Sequence, residues 1–241
     1  MATRKKKAAK RRPRKVDFDD QDAVLIEVAK HLDIDPYDLK IEESTQLTGF
    51  GDFDGTAYRI YFRGDRTGGK EWHVVESHDK MYELAIEVVT QDLEEEPGNF
   101  NKDFIENHID KDRLRRELKS DVQSMAEDDL REMSSRQFWQ TAERYLDSIP
   151  EEDSEGEMPD PEDYIDDVAS KIAEERLNDP LEYLEEIYGD EAAAKAIEIA
   201  GIDIEAAAEE AVDTDGAEHF LARYDSNYYT TPSGFVYWRD N

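Results

Sequence analysis

Residues 56–63 read TAYRIYFR, residues 70–77 read KEWHVVES, and only GDRTGG lies between them. Aromatic and β-branched side chains at that density favour a pleated, half-buried backbone. A six-residue connection with three glycines turns one strand back on the other, so the pair is a hairpin. Upstream, GFGDFDG is a second turn, and the mixed stretch Leu39 to Thr48 supplies a third strand. Three antiparallel strands need a covering layer to be stable, and helices on either side are the available cover.

Those helices are legible from their period. Val24, Leu25, Val28, Ala29 and Leu32 share one face of a helix over Asp20 to Asp33, with acids in its first turn and Asp35-Pro36 closing it. Tyr82, Ala85, Ile86, Val89 and Leu93 line a second helix over Asp79 to Glu96, ended by Pro97-Gly98. Beyond residue 100 the pattern is helical. Leu114, Leu118, Val122 and Met125 mark one helix, and Phe138, Ala142, Tyr145 and Leu146 another. Further helices are expected at Tyr164 to Leu177, Leu181 to Tyr188, Glu191 to Ala200 and Ile204 to Val212. Asn178-Asp179-Pro180, Gly189 and Gly201 separate them. The final NYYTTPSGFVYWRDN reads as a short β-hairpin turning at Pro232-Ser233-Gly234.

The expected fold class is α+β: a helix–three-stranded antiparallel sheet–helix unit, a mostly helical part, and a C-terminal hairpin. The expected organisation is a basic arm (1–15), an α+β domain (16–100), a helical extension (101–150), an acidic linker (151–163) and a helical domain carrying the hairpin (164–241). The linker assignment rests on Glu151 to Asp167, which holds ten acids, two prolines, one glycine and no base.

Charge is the second constraint. Nine of the first fifteen residues are basic: Arg4, Lys5, Lys6, Lys7, Lys10, Arg11, Arg12, Arg14 and Lys15. The remaining 226 residues carry 21 basic and 62 acidic side chains, a formal charge of −41. Such an arm can displace counterions from a phosphate backbone and bind DNA or RNA without reading sequence. Its alternatives are docking on the chain's own acidic body and a nuclear address. The acidic body can occupy a basic cleft as a phosphate mimic, or serve only solubility. The acids picked out as a partner-binding surface are Glu151, Glu152, Asp153, Glu155, Glu157, Asp160, Glu162 and Asp163. A second basic cluster, Arg113, Arg115, Arg116 and Lys119, is interleaved with Asp110, Asp112 and Glu117 and reads as a salt-bridged helix surface.

Catalytic signatures are missing. The chain has no cysteine and no G-x-S-x-G, phosphate-loop or H-E-x-x-H motif. His31, His73, His78, His108 and His219 are scattered and read as surface or capping residues, not as metal ligands. The tetrads Asp52-Phe53-Asp54-Gly55 and Asp213-Thr214-Asp215-Gly216 are fragments of a calcium loop and read as turns. No apolar run reaches the roughly 20 residues needed to span a bilayer, and the basic start lacks the apolar core of a secretory signal. No enzyme, cofactor or metal is expected.

Two stretches resemble a known group. HVVESHDKMYELAIEVVTQDLEEEPGNFNKDFIENHI runs from strand to amphipathic helix to an F-N-x-x-F-I segment, here Phe100, Asn101, Phe104 and Ile105. HFLARYDSNYYTTPSGFVYWRDN is similar to a closing H-F-L-x-x-Y-D-G and Y-R-x-N pair, with Ser226 in place of the glycine and Trp238 within the last motif. Both are similar to patterns in small accessory proteins of tailed bacteriophages. The resemblance implies a phage product in the bacterial cytoplasm or nucleoid, acting on a host protein or handling a genome. The resulting expectation is a non-enzymatic accessory protein whose acidic body binds a basic host protein, as a nucleic-acid mimic. The alternative is a DNA- or RNA-binding accessory or virion protein tethered by the basic arm. An enzyme with unrecognised carboxylate chemistry comes third.

Overall fold

The computed structural model describes residues 16–43, 57–64, 70–148, 150, 158–222 and 224–239. In chain order the elements are α1 (Gln21–Leu32), β1 (Leu39–Glu43), β2 (Ala57–Phe62), β3 (Glu71–Val75), α2 (His78–Glu95), α3 (Lys102–His108), α4 (Lys111–Arg131) and α5 (Ser135–Tyr145). They continue with α6 (Ile165–Arg176), α7 (Pro180–Tyr188), α8 (Ala192–Ala200), α9 (Ile204–Asp215), α10 (Ala217–Leu221), β4 (Tyr228–Thr230) and β5 (Val236–Arg239). The class is α+β. Two compact units are present, one drawn from Met1–Gln91 and Ala208–Asn241, the other from Asp92–Ala207. Among the described residues no helix is long and apolar enough to cross a membrane.

The first unit is built on one antiparallel sheet of order β1-β2-β3-β5-β4. The three expected strands and the expected C-terminal hairpin join in this one sheet. The C-terminal hairpin belongs to this sheet and not to the helices: β5 pairs with β3, placing Trp238 opposite His73 and Val236 opposite Val75. The physical reason lies in β3, whose five residues are all buried. A strand buried on both faces cannot remain at an edge with unpaired backbone groups.

Side chains of alternating parity then serve two faces. On one, Val24, Leu25, Val28 and Ala29 of α1 meet Tyr58, Ile60, Trp72, Val74, Phe235 and Tyr237. The Asp20 carboxylate accepts the Ala23 N–H to start α1, and Asp33 ends it in the left-handed region (φ 58°). On the other face Ala57, His73, Val75, Val236 and Trp238 are buried. The buried stripe of α2 is Met81, Leu84, Ala85, Val88 and Val89, so Tyr82 and Ile86 sit at its margin, rotated from the expected face. Tyr82 donates its hydroxyl to Asp213 of α9 (2.6 Å), and the His78 ring stands edge-on to Tyr228 of β4 (4.6 Å between centroids).

The second unit is helical. The long helix α4 buries Leu114, Leu118, Val122, Ala126 and Leu130 at helical spacing. α5 begins with a capping box between Ser134 and Gln137. Its Phe138, Trp139 and Ala142 share one core with Ile165, Val168 and Ala169 of α6. The expected division at 151–163 is therefore corrected: helices before and after that stretch bury one another's apolar faces. The short helices α3 and α10 were absent from the expected set. Seven and five residues give too few periods for a helical stripe to show.

Candidate functional site

Much of what the sequence singled out lies outside the described residues: Arg4, Lys5, Lys6, Lys7, Lys10, Arg11, Arg12, Arg14 and Lys15, then Glu151, Glu152, Asp153, Glu155 and Glu157. The same holds for Asp52 to Gly55. Asp160, Glu162 and Asp163 are described, and all three are exposed. Two of them have local duties. Asp160 accepts the Glu162 N–H (3.1 Å) at the start of a 3-10 turn, Pro161–Tyr164. Glu162 pairs with Arg131 (3.5 Å).

A more organised acidic site lies around α7 in the helical unit. Asn178-Asp179-Pro180 starts that helix. Pro180 takes the first turn, where a missing N–H costs nothing, and the Asp179 carboxylate accepts the Glu182 N–H (2.9 Å). Gly189 ends the helix at φ 56°, ψ −126°, a region that side chains with a Cβ avoid. A 3-10 turn, Gly189–Glu191, leads directly into α8, whose Ala192, Ala196 and Ala200 are buried. Against this turn lies the Pro97–Asn99 turn, close enough that a Cβ on Gly98 would sit 3.0 Å from the Asp190 carbonyl oxygen.

Between these pieces is a cavity of about 340 Å³. Phe100, Ile105, Leu181 and Ala192 give it apolar walls, while Lys102, Glu185 and Asp190 line it with charge. Adjacent in sequence to the lining residue Gly189, Tyr188 is exposed (43%), a large side chain that ordinarily turns inward; Ile187 (46%) is exposed on a different side of α7 from Leu181 and Glu185. From Leu177 to Ala194 there are six carboxylates and no Lys or Arg.

Lys102 is the cation of this mouth, and it is engaged on three sides. Its Nζ lies 3.1 Å from Asp179, 3.7 Å from Glu185 and 3.8 Å from Glu106. Burial alone would pull the Lys102 ammonium down, but the Asp179 hydrogen bond and the surrounding carboxylates outweigh it and leave its pKa above the ordinary lysine value. Burial likewise pushes the Asp179 carboxyl up; the Glu182 N–H and Lys102 outweigh it and hold the group below the usual range. Glu106 also takes Lys111 (2.7 Å). Asp190 has no cation partner among the described residues.

The nearby arginines are occupied elsewhere in the helical unit. Arg115 donates to the carbonyls of Leu177 and Asn178 (3.0 Å each) at the end of α6, and Arg113 donates to Ala200 O (3.3 Å) at the end of α8. These are helix ends whose carbonyls lack intrahelical donors. The sequence placed both residues on a salt-bridged surface. Arg115–Asp112 (3.4 Å) and Lys119–Glu174 (3.9 Å) fit that reading, whereas the capping role needed the tertiary neighbours.

The sheet unit carries a different polar group. Glu42, Arg59 and His73 stand at facing register positions, and the Arg59 guanidinium binds Glu71 through two nitrogens, one at 2.7 Å. The Glu71 hydrogen bond raises the Arg59 pKa, against the lowering effect of burial. Tyr61 donates to Glu42 (2.9 Å). Glu71 (7% exposed) and His73 (2%) are buried, which corrects the surface reading of His73; its ring lies 5.8 Å from that of Trp238. Arg59 thus meets an acid from each neighbouring strand, Glu42 directly opposite and Glu71 on the diagonal, an arrangement that stabilises pairing. Among the described residues no cluster of three His, Asp or Glu side chains has metal-holding geometry.

Comparison with protein-family models, with curated proteins and with solved structures finds no match for this chain.

Proposed function

We propose that the chain is a non-enzymatic binding protein whose acidic helical unit engages a basic surface on another protein. The observation that carries this reading is the α7 face. A cavity with apolar walls, the exposed Tyr188 at its edge in sequence and a run of carboxylates combine the parts of a protein interface, an apolar centre inside a charged border. Glu182, Glu185 and Glu186 stand three and four residues apart, so they are neighbours on one helix surface. A row of that kind can take the place of backbone phosphates in a cleft built for nucleic acid. The resemblance to phage accessory proteins supports a host protein as the partner, in the bacterial cytoplasm or nucleoid.

The test is binding of the full chain to labelled Lys/Arg-rich peptides, set against Glu182→Gln/Glu186→Gln/Glu191→Gln. The expected result is affinity that falls with salt and weakens in the neutralised variant. Equal affinity of both proteins would overturn the α7 face as the binding surface.

A second reading is supported at Val16. Its N–H donates to Ser233 Oγ (3.4 Å), and Ser233 is in turn held by both oxygens of Glu27 (2.7 Å each). The nine cations of residues 4–15 thus connect to a fixed point of the sheet unit, as suits a tether for DNA or RNA. Removal of residues 1–15 is expected to abolish duplex binding and its salt dependence. Retention of both would refute the tether.

A further inference from the structure

Resting on the proposal that the helical unit binds a basic protein, we infer that the cavity between the Pro97–Asn99 turn, α7 and α8 receives an arginine side chain from that partner. The chemistry of the walls selects the occupant. Phe100, Ile105, Leu181 and Ala192 offer apolar contact for a three-carbon stem. Glu185 and Asp190 are the acidic residues of the lining, and a planar guanidinium can donate to two oxygen acceptors at once. The cation that the lining holds among the described residues, Lys102, does not reverse this preference. Its ammonium is surrounded by Asp179, Glu185 and Glu106, so the mouth stays net negative and an anionic ligand meets more repulsion than attraction.

The site is also built to stay open. Gly98 is the residue whose side chain would meet the Asp190 carbonyl, and Gly189 holds a backbone conformation reserved for glycine. Two glycine turns therefore fix the rim, while alanines on α8 leave the space that a larger residue would fill. A neutral apolar residue would add no positive charge to a lining whose two acids outnumber its lysine. A lysine would reach the rim but present a point charge, without the two-pronged geometry. Arginine at the centre of an interface, with the exposed Tyr188 next to the Gly189 rim, matches the composition of binding hot spots.

The experiment uses the full chain and four probes: a short peptide rich in arginine, the same peptide with lysine, the same with citrulline, and free spermidine. Binding is followed by anisotropy and by amide NMR shifts of Gly98, Ala192 and Ala193. Arginine peptide is expected to bind most tightly, citrulline peptide not at all, with the shifts concentrated at those three amides. Ala193→Leu, which extends a side chain into the cavity, and Asp190→Asn, on an exposed turn, are each expected to weaken the arginine peptide about tenfold, a hot-spot-sized loss. Both are expected to bring it level with lysine peptide.

If the arginine and lysine peptides bind equally, and Ala193→Leu and Asp190→Asn change nothing, the cavity anchor is overturned while the acidic-surface reading stands. If no basic peptide binds the wild-type chain at low salt, the acidic-surface reading itself falls and takes the anchor with it. Displacement of the peptide by spermidine, with the same three amides shifting, would overturn the partner side chain in favour of a free polyamine.

Discussion

Replacing Trp238 with alanine should cost the sheet unit about 4–5 kcal/mol, and the site of the loss is as informative as its size. Trp238 is fully buried in β5, on the face opposite α1 and facing His73 across the β3 register. A buried aromatic of this kind removes about 150–250 Å² from water, and at about 25 cal/mol per Å² that is roughly 4–6 kcal/mol. The indole N–H has no hydrogen-bond partner among the described residues, so deleting it offsets about 1 kcal/mol. The unfilled space left between rigid strands adds back about 1 kcal/mol, and the Cβ that alanine keeps still buries part of that area, which leaves about 4–5 kcal/mol. For a domain stable by only about 5–15 kcal/mol, such a loss is severe. Trp238→Phe keeps most of the apolar volume and removes the unpaired N–H, so its cost should stay within about 1.5 kcal/mol. Urea unfolding would measure the free energies, and hydrogen exchange would locate them. Protection should fall in residues 57–62 and 71–75, which precede the mutation by more than 160 positions. A loss below about 1 kcal/mol would refute the placement of β5 as an interior strand between β3 and β4, as would exchange confined to α4–α8.

Phe138→Ala should cost about 3–5 kcal/mol and should deprotect α6 along with α5, because the two helices share that core across residues 151–163; exchange restricted to α5 would contradict it. Tyr237, buried beside Tyr229 and hydrogen-bonded to His31 Nδ1 (2.9 Å), has its pKa pushed up to about 12 by burial. Folding therefore favours its protonated form. The contribution is complete below the unfolded value near 10 and is lost as pH rises toward 12, amounting to roughly 2–3 kcal/mol. Thermal melts at increasing alkaline pH should flatten in Tyr237→Phe, and an unchanged slope would reject the assignment. Arg115→Met keeps the stem but leaves the Leu177 and Asn178 carbonyls without their donor, for an expected loss of about 1 kcal/mol in thermal unfolding. Arg115→Lys should recover little of it, since one ammonium on a different stem does not reproduce the forked donation.

The extent to which the site was legible follows from how local its parts are. Asp179 as an N-cap and Gly189 as a stop were readable, because a cap involves residues three apart and a stop needs only one backbone conformation. That Lys102 reaches Asp179, or that Gly98 lies under the Asp190 carbonyl, was not readable: those partners are separated by more than seventy residues with no covalent or periodic signal between them. Glu151 to Asp163 stand out in the sequence by the density of their acids. Density ignores which carboxylates are already spent, as Asp160 and Glu162 partly are, and which stand beside a concave apolar wall, as Glu185 and Asp190 do.

The sequence by itself determined the elements of local period: α1, α2 and α4–α9, the β2–β3 hairpin, the C-terminal hairpin, and hence the α+β class. Each arises from side chains a few residues apart sharing a face, and that relation survives any tertiary arrangement. Only the tertiary structure decided that the last strand completes the first sheet, and that helices on either side of an acidic stretch form one core. It also decided that two glycine turns leave a charged-rim cavity. Strand addition is driven by the unpaired edge and the second buried face of β3. Its continuous apolar run was the one local hint, but a run of five cannot say which distant segment will cover it.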